Sequence, residues 1–354
     1  MIDSIESKTF VNKRSSTFTI ATGSSDFEEN VIVKIVSGDE FGVGSANPTK
    51  VTDETRESID SFLAKARKKI VGTDETDIGK VHQRLDSIAE GNTAAKAAVD
   101  IAVFDLLSKR DKKPLYEYLG GTRDRMLTDM TLGIDSKEMT VKKALRHYKA
   151  GFRALKIKVG LDLEEDIRRV AAVREAVGPK VELRVDANQG YSVEQAIAFC
   201  VAMHSYDVVV VEQPVAANDY AGFKKVTEAS PIPTMADECV KSVLDARRVA
   251  REGIAEMINI KLMKSAGIHD ASMINRLAEA TDMGTMVGCM GEIQVGIAAG
   301  LHFALSSDNI LFADLDSHFN MIDDPSSGLV FEEGYLIAPK IPGLGMKTPL
   351  DSSS

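Results

Sequence analysis

Residues 181–214 read VELRVDANQGYSVEQAIAFCVAMHSYDVVVVEQP. Two short β-branched runs, 181–188 and 208–214, enclose a segment from Val193 to His204 whose apolar residues recur at helical spacing. Strand, helix and strand joined this way make a parallel β-α-β unit. The same alternation continues in both directions. Strand-like runs stand at 127–134, 153–160, 233–238, 257–264, 284–290 and 309–316, and helical patterning at Leu163–Val177, Ser242–Glu252 and Ile268–Thr281. Eight strands in strict alternation with helices predict an α/β fold, a (β/α)₈ or modified TIM barrel. An open doubly wound sheet is the alternative. The strand count, and the lack of a Gly-rich dinucleotide fingerprint after the first strand, favour the barrel.

Upstream the pattern changes. Phe18-Thr-Ile20 and Val31-Ile-Val33-Lys-Ile35-Val36 alternate around turn residues such as Ser37-Gly38-Asp39, which predicts an antiparallel sheet of about three strands. An amphipathic helix is expected over Thr52–Val71, with Thr52 as its cap and Asp53 and Glu54 in its first turn. The Ala-rich Thr93–Lys109 reads as a buried helix. These assign residues 1–125 to an α+β capping domain and 126–327 to the barrel. Residues 328–354 form a segment with hairpin patterning that returns to the capping domain.

The composition, 354 residues with 44% hydrophobic and 27% charged, is that of an ordinary globular protein. A net charge of −10 argues against a nucleic-acid partner. No run approaches the ~18 apolar residues of a membrane span, so no membrane partner is expected. The start MIDSIESKTF lacks the marks of a secretory signal. Cys200, Cys239 and Cys289 are widely spaced, with no metal-ligand pattern, and read as reduced thiols of a cytoplasmic protein.

Chemistry in such a barrel sits at the C-terminal ends of the strands. Three consecutive strands end in Arg184-Val-Asp186-Ala-Asn188, Val211-Glu212-Gln-Pro214 and Ala236-Asp237-Glu238. Adjacent strands are about 4.8 Å apart, so Asp186, Glu212 and Asp237 would repel one another if left bare. A hard divalent cation removes that cost, and Mg²⁺ suits few carboxylates completed by substrate and water. The bland alternative makes each acid an independent rim residue or helix cap. Leu155-Lys156-Ile157-Lys158-Val159 puts two lysines on one face of a strand. Lys261 lies four strands away, across the ring, and snorkelling at the rim is the alternative for these lysines and for Lys264. Desolvation and nearby cations are expected to lower the lysine pKa values toward those of a general base. A metal gripping a substrate carboxylate stabilises the enolate left by loss of the α-proton. Lys158 and Lys261, on opposite faces, then epimerise that carbon.

Lys156-x-Lys158, the three carboxylates and the opposed Lys261 resemble the enolase superfamily, muconate lactonizing enzyme subgroup. The superfamily's Lys or His base with Mg²⁺ is a documented pattern. The resemblance covers nearly the whole chain, including Pro342-Gly-Leu-Gly345. Ala313-Asp314-Leu315-Asp316, Asp129-Met-Thr131-Leu-Gly133-Ile134 and Asn259-Ile-Lys-Leu-Met-Lys264 are similar to the dipeptide epimerases. The resemblance implies epimerisation at the C-terminal residue of an L,L-dipeptide, with one Mg²⁺ per subunit and the ammonium group held by Asp314 and Asp316. Thr131 and Glu292 are further expected substrate contacts. Asn188 and Glu238 are expected to support the site from behind, Glu238 as a partner of Lys261 with only one of Asp237 and Glu238 facing inward. An arginine that meets a glutamate side chain in Ala-Glu epimerases has no counterpart in Thr19–Ser25, and Asp26 and Glu28 follow. An apolar or cationic C-terminal residue is expected instead. Barrels of this type often form a homo-oligomer, which is expected here too.

The six histidines show no metal spacing, and only His318 stands where it could line the pocket. An o-succinylbenzoate synthase, an N-acylamino acid racemase or a cycloisomerase would use the same lysines and metal, but their substrates carry no ammonium for Asp314 and Asp316. A catalytically decayed binding protein would have lost a ligand or a lysine, and a hydrolase barrel would carry a His-rich set.

Overall fold

The computed structural model describes residues 1–21 and 23–351. Ser4–Ile20 (β1), Gly23–Ser37 (β2) and Glu40–Ala46 (β3) form an antiparallel sheet in that order. Arg56–Ile70 (α1), Ile78–Asp86 (α2), Thr93–Arg110 (α3) and Leu115–Tyr118 (α4) follow. The apolar α3 is buried along nearly its whole length against β3. Gly42 and Gly44 permit this, because a Cβ at either would run into the carbonyls of Ala102 and Ala98.

The start of α1 differs from expectation. Thr55, not Thr52, is the cap: its side chain accepts from Ser58 N, and Ser58 returns a bond to Thr55 N. Asp53 sits at φ 55° in the turn before it. Glu54 serves another helix, accepting from Ala94 N (2.8 Å) and Ala95 N (3.1 Å) at the start of α3. The acid does complement a helix dipole, but that of α3.

The expected barrel is present, with ring strands from Asp129 to Asp314. Asp129–Leu132 (β5), Ala154–Lys158 (β6), Glu182–Asp186 (β7), Val208–Glu212 (β8), Thr234–Ala236 (β9), Met257–Ile260 (β10), Gly284–Gly288 (β11) and Ile310–Asp314 (β12) are parallel neighbours in chain order. A parallel bridge between Thr128 and Ala313 closes the ring. Helices Lys137–Lys149 (α5), Leu163–Val177 (α6), Val193–His204 (α7), Tyr220–Ala229 (α8), Val243–Glu252 (α9), Ile268–Ala280 (α10) and Gln294–Ala304 (α11) alternate with the strands. The expected first strand, 127–134, is in fact divided. Arg125–Leu127 (β4) leaves the barrel to pair with the hairpin Val330–Glu332 (β13) and Tyr335–Ile337 (β14), and only β5 joins the ring. The tail therefore joins the N-terminal end of the barrel before reaching the cap, where Leu344 N donates to Asp105 (2.7 Å) and Lys34 Nζ to Leu350 O (2.8 Å).

The β1–β2 hairpin reaches over the other end of the barrel. Thr19 O accepts from Ile134 N (2.9 Å) beyond β5, Lys13 O from Ile322 N (3.0 Å) beyond β12, and Gly291 O from Asn30 Nδ2 (3.0 Å) beyond β11. Among the described residues no helix is long and apolar enough to cross a membrane.

Candidate active site

Strand register pairs Lys158 with Asp186 and Asp186 with Glu212. Asp237 follows the last residue of β9. One carboxylate oxygen from each of Asp186, Glu212 and Asp237 lies within 4.8 Å of the others, and all three side chains are buried.

Four buried ammonium groups surround this triad, and their partners divide them. Lys156 Nζ contacts Asp186 (3.0 Å), Glu212 (2.7 Å) and Asp314 (2.7 Å). Lys264 Nζ contacts Asp237 Oδ1, Asp237 O and Asn259 O. Lys156 thus faces three carboxylates and Lys264 three oxygens, which hold both in place. Among the described residues, Lys158 Nζ meets only Asp186 (2.6 Å) and Lys261 Nζ only Asp237 (2.8 Å). These two retain donor capacity. They come from β6 and from the residue after β10, four strands apart in a ring of eight.

The electrostatics correct one expectation. Burial works to lower the Lys261 pKa, but Asp237, Glu212 and Asp186 together outweigh it and the net shift is upward. Lys156 is likewise raised, by Asp186, Asp314 and Glu212 against burial. The sequence suggested neighbouring cations, whereas the nearest charges are carboxylates. Burial acts to raise Asp237 as well, yet Lys261 and Lys264 hold it well below the usual carboxylate range. Glu212 is pushed up to about 8 by burial and by Asp186 and Asp237. Of the three acids, Glu212 is thus the one short of compensating charge. An all-oxygen donor set in that condition fits a hard divalent cation.

Asn259, part of a motif quoted above but given no role there, donates from Nδ2 to Glu212 Oε1 (2.8 Å) and orients that acid. Gly288 leaves room for it, since a Cβ there would meet the Asn259 amide and the Lys261 stem. Glu238 accepts from Asn188 Nδ2 (3.1 Å) rather than from Lys261. Both Asp237 and Glu238 face the cavity. Strand alternation stops at Ala236, so it no longer forces them to opposite sides. Burial and Asp237 push Glu238 up to about 7.

Across the mouth, Thr131 ties the acid pair together: its N–H donates to Asp316, and its hydroxyl to Asp314 (3.3 Å). Burial and Asp314 push Asp316 up to about 6. Cys289 Sγ lies 3.9 Å from Asp316. Glu292 is not on the cavity wall as expected. Its Oε1 accepts from Met290 N (2.9 Å), which turns the carboxyl back under its own loop, and burial pushes it up to about 7. His318 is likewise not part of the wall.

These groups open into a cavity of about 690 Å³, roofed by the β1–β2 hairpin. Ile20, Ser24 and Ser25 of the stretch Thr19–Ser25 line it, while Thr22 lies outside the described residues. That stretch supplies no cation, but Arg14, further back on β1, does, and Lys50 and Lys241 also line the cavity.

The profile of the mandelate racemase / muconate lactonizing enzyme N-terminal domain matches residues 4–120, and that of the enolase C-terminal domain-like family matches residues 139–351. A hydrophobic dipeptide epimerase of Enterococcus faecalis is 40% identical over 319 residues, covering 89% of this chain and 90% of that protein. An L-Ala-D/L-Glu epimerase of Clostridium acetobutylicum is 39% identical over 336 residues, covering 93% and 94%. The crystal structure of an Enterococcus faecalis dipeptide epimerase complexed with Mg and L-Leu-L-Tyr superposes with a TM-score of 0.95 at 38% identity, covering 98% of this chain and 99% of that one.

Proposed function

The chain belongs to the mandelate racemase / muconate lactonizing enzyme family of the enolase superfamily, and from that premise we propose that it is a Mg²⁺-dependent dipeptide epimerase, an isomerase that inverts the α-carbon of the C-terminal residue. Asp186, Glu212 and Asp237 are the metal ligands in this reading. Mg²⁺ held there supplies a positive charge to grip the substrate carboxylate and to stabilise the negative charge that develops as the α-proton leaves.

The observation that carries the proposal is the division among the lysines. Lys158 and Lys261 each have one acceptor and stand on opposite sides of the barrel. One removes the α-proton from one face, and the other returns a proton to the opposite face. Lys156, facing three carboxylates, and Lys264, facing three oxygens, hold the acids that frame the reaction. The dipeptide's ammonium group is bound by Asp314 and Asp316, which Thr131 fixes relative to each other. Asn188 supports the site by holding Glu238. Glu292 acts indirectly, by setting the Met290–Gly291 turn at the cavity wall.

The test is a dipeptide panel followed by chiral chromatography, with Mg²⁺ and with EDTA. It carries apolar, cationic and acidic C-terminal residues, because Lys50 and Lys241 add positive charge to the cavity wall. Mg²⁺-dependent appearance of the L,D-epimer from an L,L-dipeptide is the expected result. Turnover of N-acylated amino acids with none of any free dipeptide would overturn the reading. A cytoplasmic homo-oligomer remains part of the proposal, and light scattering of the purified protein tests the assembly.

A further inference from the structure

The hairpin contributes an ion pair to the cavity that the proposed chemistry does not use. Arg14 on β1 donates from Nε (2.9 Å) and an NH2 nitrogen (2.7 Å) to a single oxygen, Oε1, of Glu28 on β2. The guanidinium lies 5.0 Å from the centre of the Phe18 ring. All three residues line the cavity. The side chains of Arg14 and Glu28 are only 7% and 15% exposed, so their mutual neutralisation is weakly screened by solvent.

Backbone anchors fix where the pair stands. Arg14 forms a bridge with Met321, past the end of β12. Glu28 packs on Gly291, past β11, where a Cβ would displace its carboxylate. Phe18 lies beside Gly133, past β5. The pair therefore sits over the β11–β12–β5 third of the barrel mouth. Asp314, Asp316, Cys289 and Thr131 belong to the same third, whereas the acid triad belongs to β7–β9.

We propose that Arg14 and Glu28, with Phe18, form the subsite for the side chain of the dipeptide's N-terminal residue, and that their mutual neutralisation selects an uncharged side chain there. The inference rests on the epimerase reading, in which the acid pair beneath holds that residue's ammonium group. A carboxylate side chain entering the subsite must compete with Glu28 for Arg14, and an ammonium side chain must compete with Arg14 for Glu28. Either charge is desolvated without gaining a free partner. An apolar side chain meets the Phe18 ring without that cost. Breaking the pair from one side leaves the other charge available, so the two halves of the pair specify opposite preferences.

The test compares kcat/KM for N-terminal Glu, Lys and Ala dipeptides that share one accepted C-terminal residue. The parent enzyme is expected to prefer Ala. Glu28→Gln keeps an acceptor for Arg14 but removes the negative charge. It should raise the Glu-to-Ala ratio on the order of tenfold or more. Arg14→Met should raise the Lys-to-Ala ratio similarly, and circular dichroism checks that each variant is folded. If Arg14→Met does not fold, Glu28→Gln decides alone. Ratios that stay within about threefold of the parent in folded Glu28→Gln overturn the subsite while leaving the epimerase standing. A parent enzyme that turns over no dipeptide overturns both.

Discussion

Lys264→Met isolates what a buried ammonium does when it takes no part in proton transfer. Lys264 is 1% exposed, and its three protons go to Asp237 Oδ1, Asp237 O and Asn259 O. Met has similar length and shape but donates nothing. Breaking a buried ion pair from one side costs about 3–5 kcal/mol. Here Lys261 stays on the other Asp237 oxygen at 2.8 Å, and Val240 N still donates to Asp237 O at 3.0 Å. These partners reduce the expected loss to roughly 2–4 kcal/mol. The assay is urea unfolding of parent and variant, once in EDTA and once in saturating Mg²⁺. The loss should be largest in EDTA and smaller with Mg²⁺, because the ion supplies part of the missing positive charge. A variant as stable as the parent in EDTA, within about 0.5 kcal/mol, would refute the reasoning and return Lys264 to the status of a rim lysine.

Other predictions rest on single contacts. His302 is fully buried; its Nδ1 accepts from Tyr116 N (3.0 Å), its Nε2 faces Leu344 O (3.3 Å), and burial lowers its pKa to about 4. The folded state therefore favours neutral imidazole. The stabilisation is complete above the ordinary value near 6.5, declines as pH falls from there toward 4, and is exhausted below. It amounts to roughly 3 kcal/mol. Urea midpoints across this range should fall less steeply for His302→Gln than for the parent, and parallel profiles would contradict the assignment. Glu54→Ala removes the cap on α3 and should cost about 1–2 kcal/mol, read by thermal unfolding, with no loss indicating that water replaces it. Asp316→Asn should cut kcat/KM for free dipeptides by tenfold or more through KM, and an unchanged KM would remove Asp316 from ammonium binding.

The barrel was legible because its strands are short β-branched runs with carboxylates at their C-terminal ends, so Asp186, Glu212 and Asp237 announced both a register and a chemistry. Alternation held as far as the strands themselves. It placed Lys156 and Lys158 on one face, but it failed one or two residues beyond a strand end. Glu238 turned out to share the cavity with Asp237 because β9 stops at Ala236. Lys264 comes back to Asp237 because a turn after β10, with Lys264 N bonded to Lys261 O at 2.9 Å, reverses the chain. The division of the first strand was hidden because β4 takes its partner from residues 335–337, far along the sequence. Arg14 was hidden because it lies upstream of Thr19–Ser25, and only the fold of the hairpin over the barrel brings that part of β1 to the cavity. The direction of the Lys261 shift was misread because the sequence shows that lysines cluster, but not that Asp237 stands 2.8 Å from Lys261 Nζ.

The central claim is that Lys158 and Lys261 address opposite faces of one carbon. Deuterium exchange in D₂O with Mg²⁺ tests it most directly, using the L,L- and L,D-forms of one accepted dipeptide in the parent, Lys158→Ala and Lys261→Ala. The account predicts that the parent exchanges both forms and interconverts them. Each variant should lose interconversion and still exchange only one form, with the two variants retaining opposite forms. Interconversion that persists in either variant at near the parent rate would contradict it, as would two variants that retain exchange of the same form.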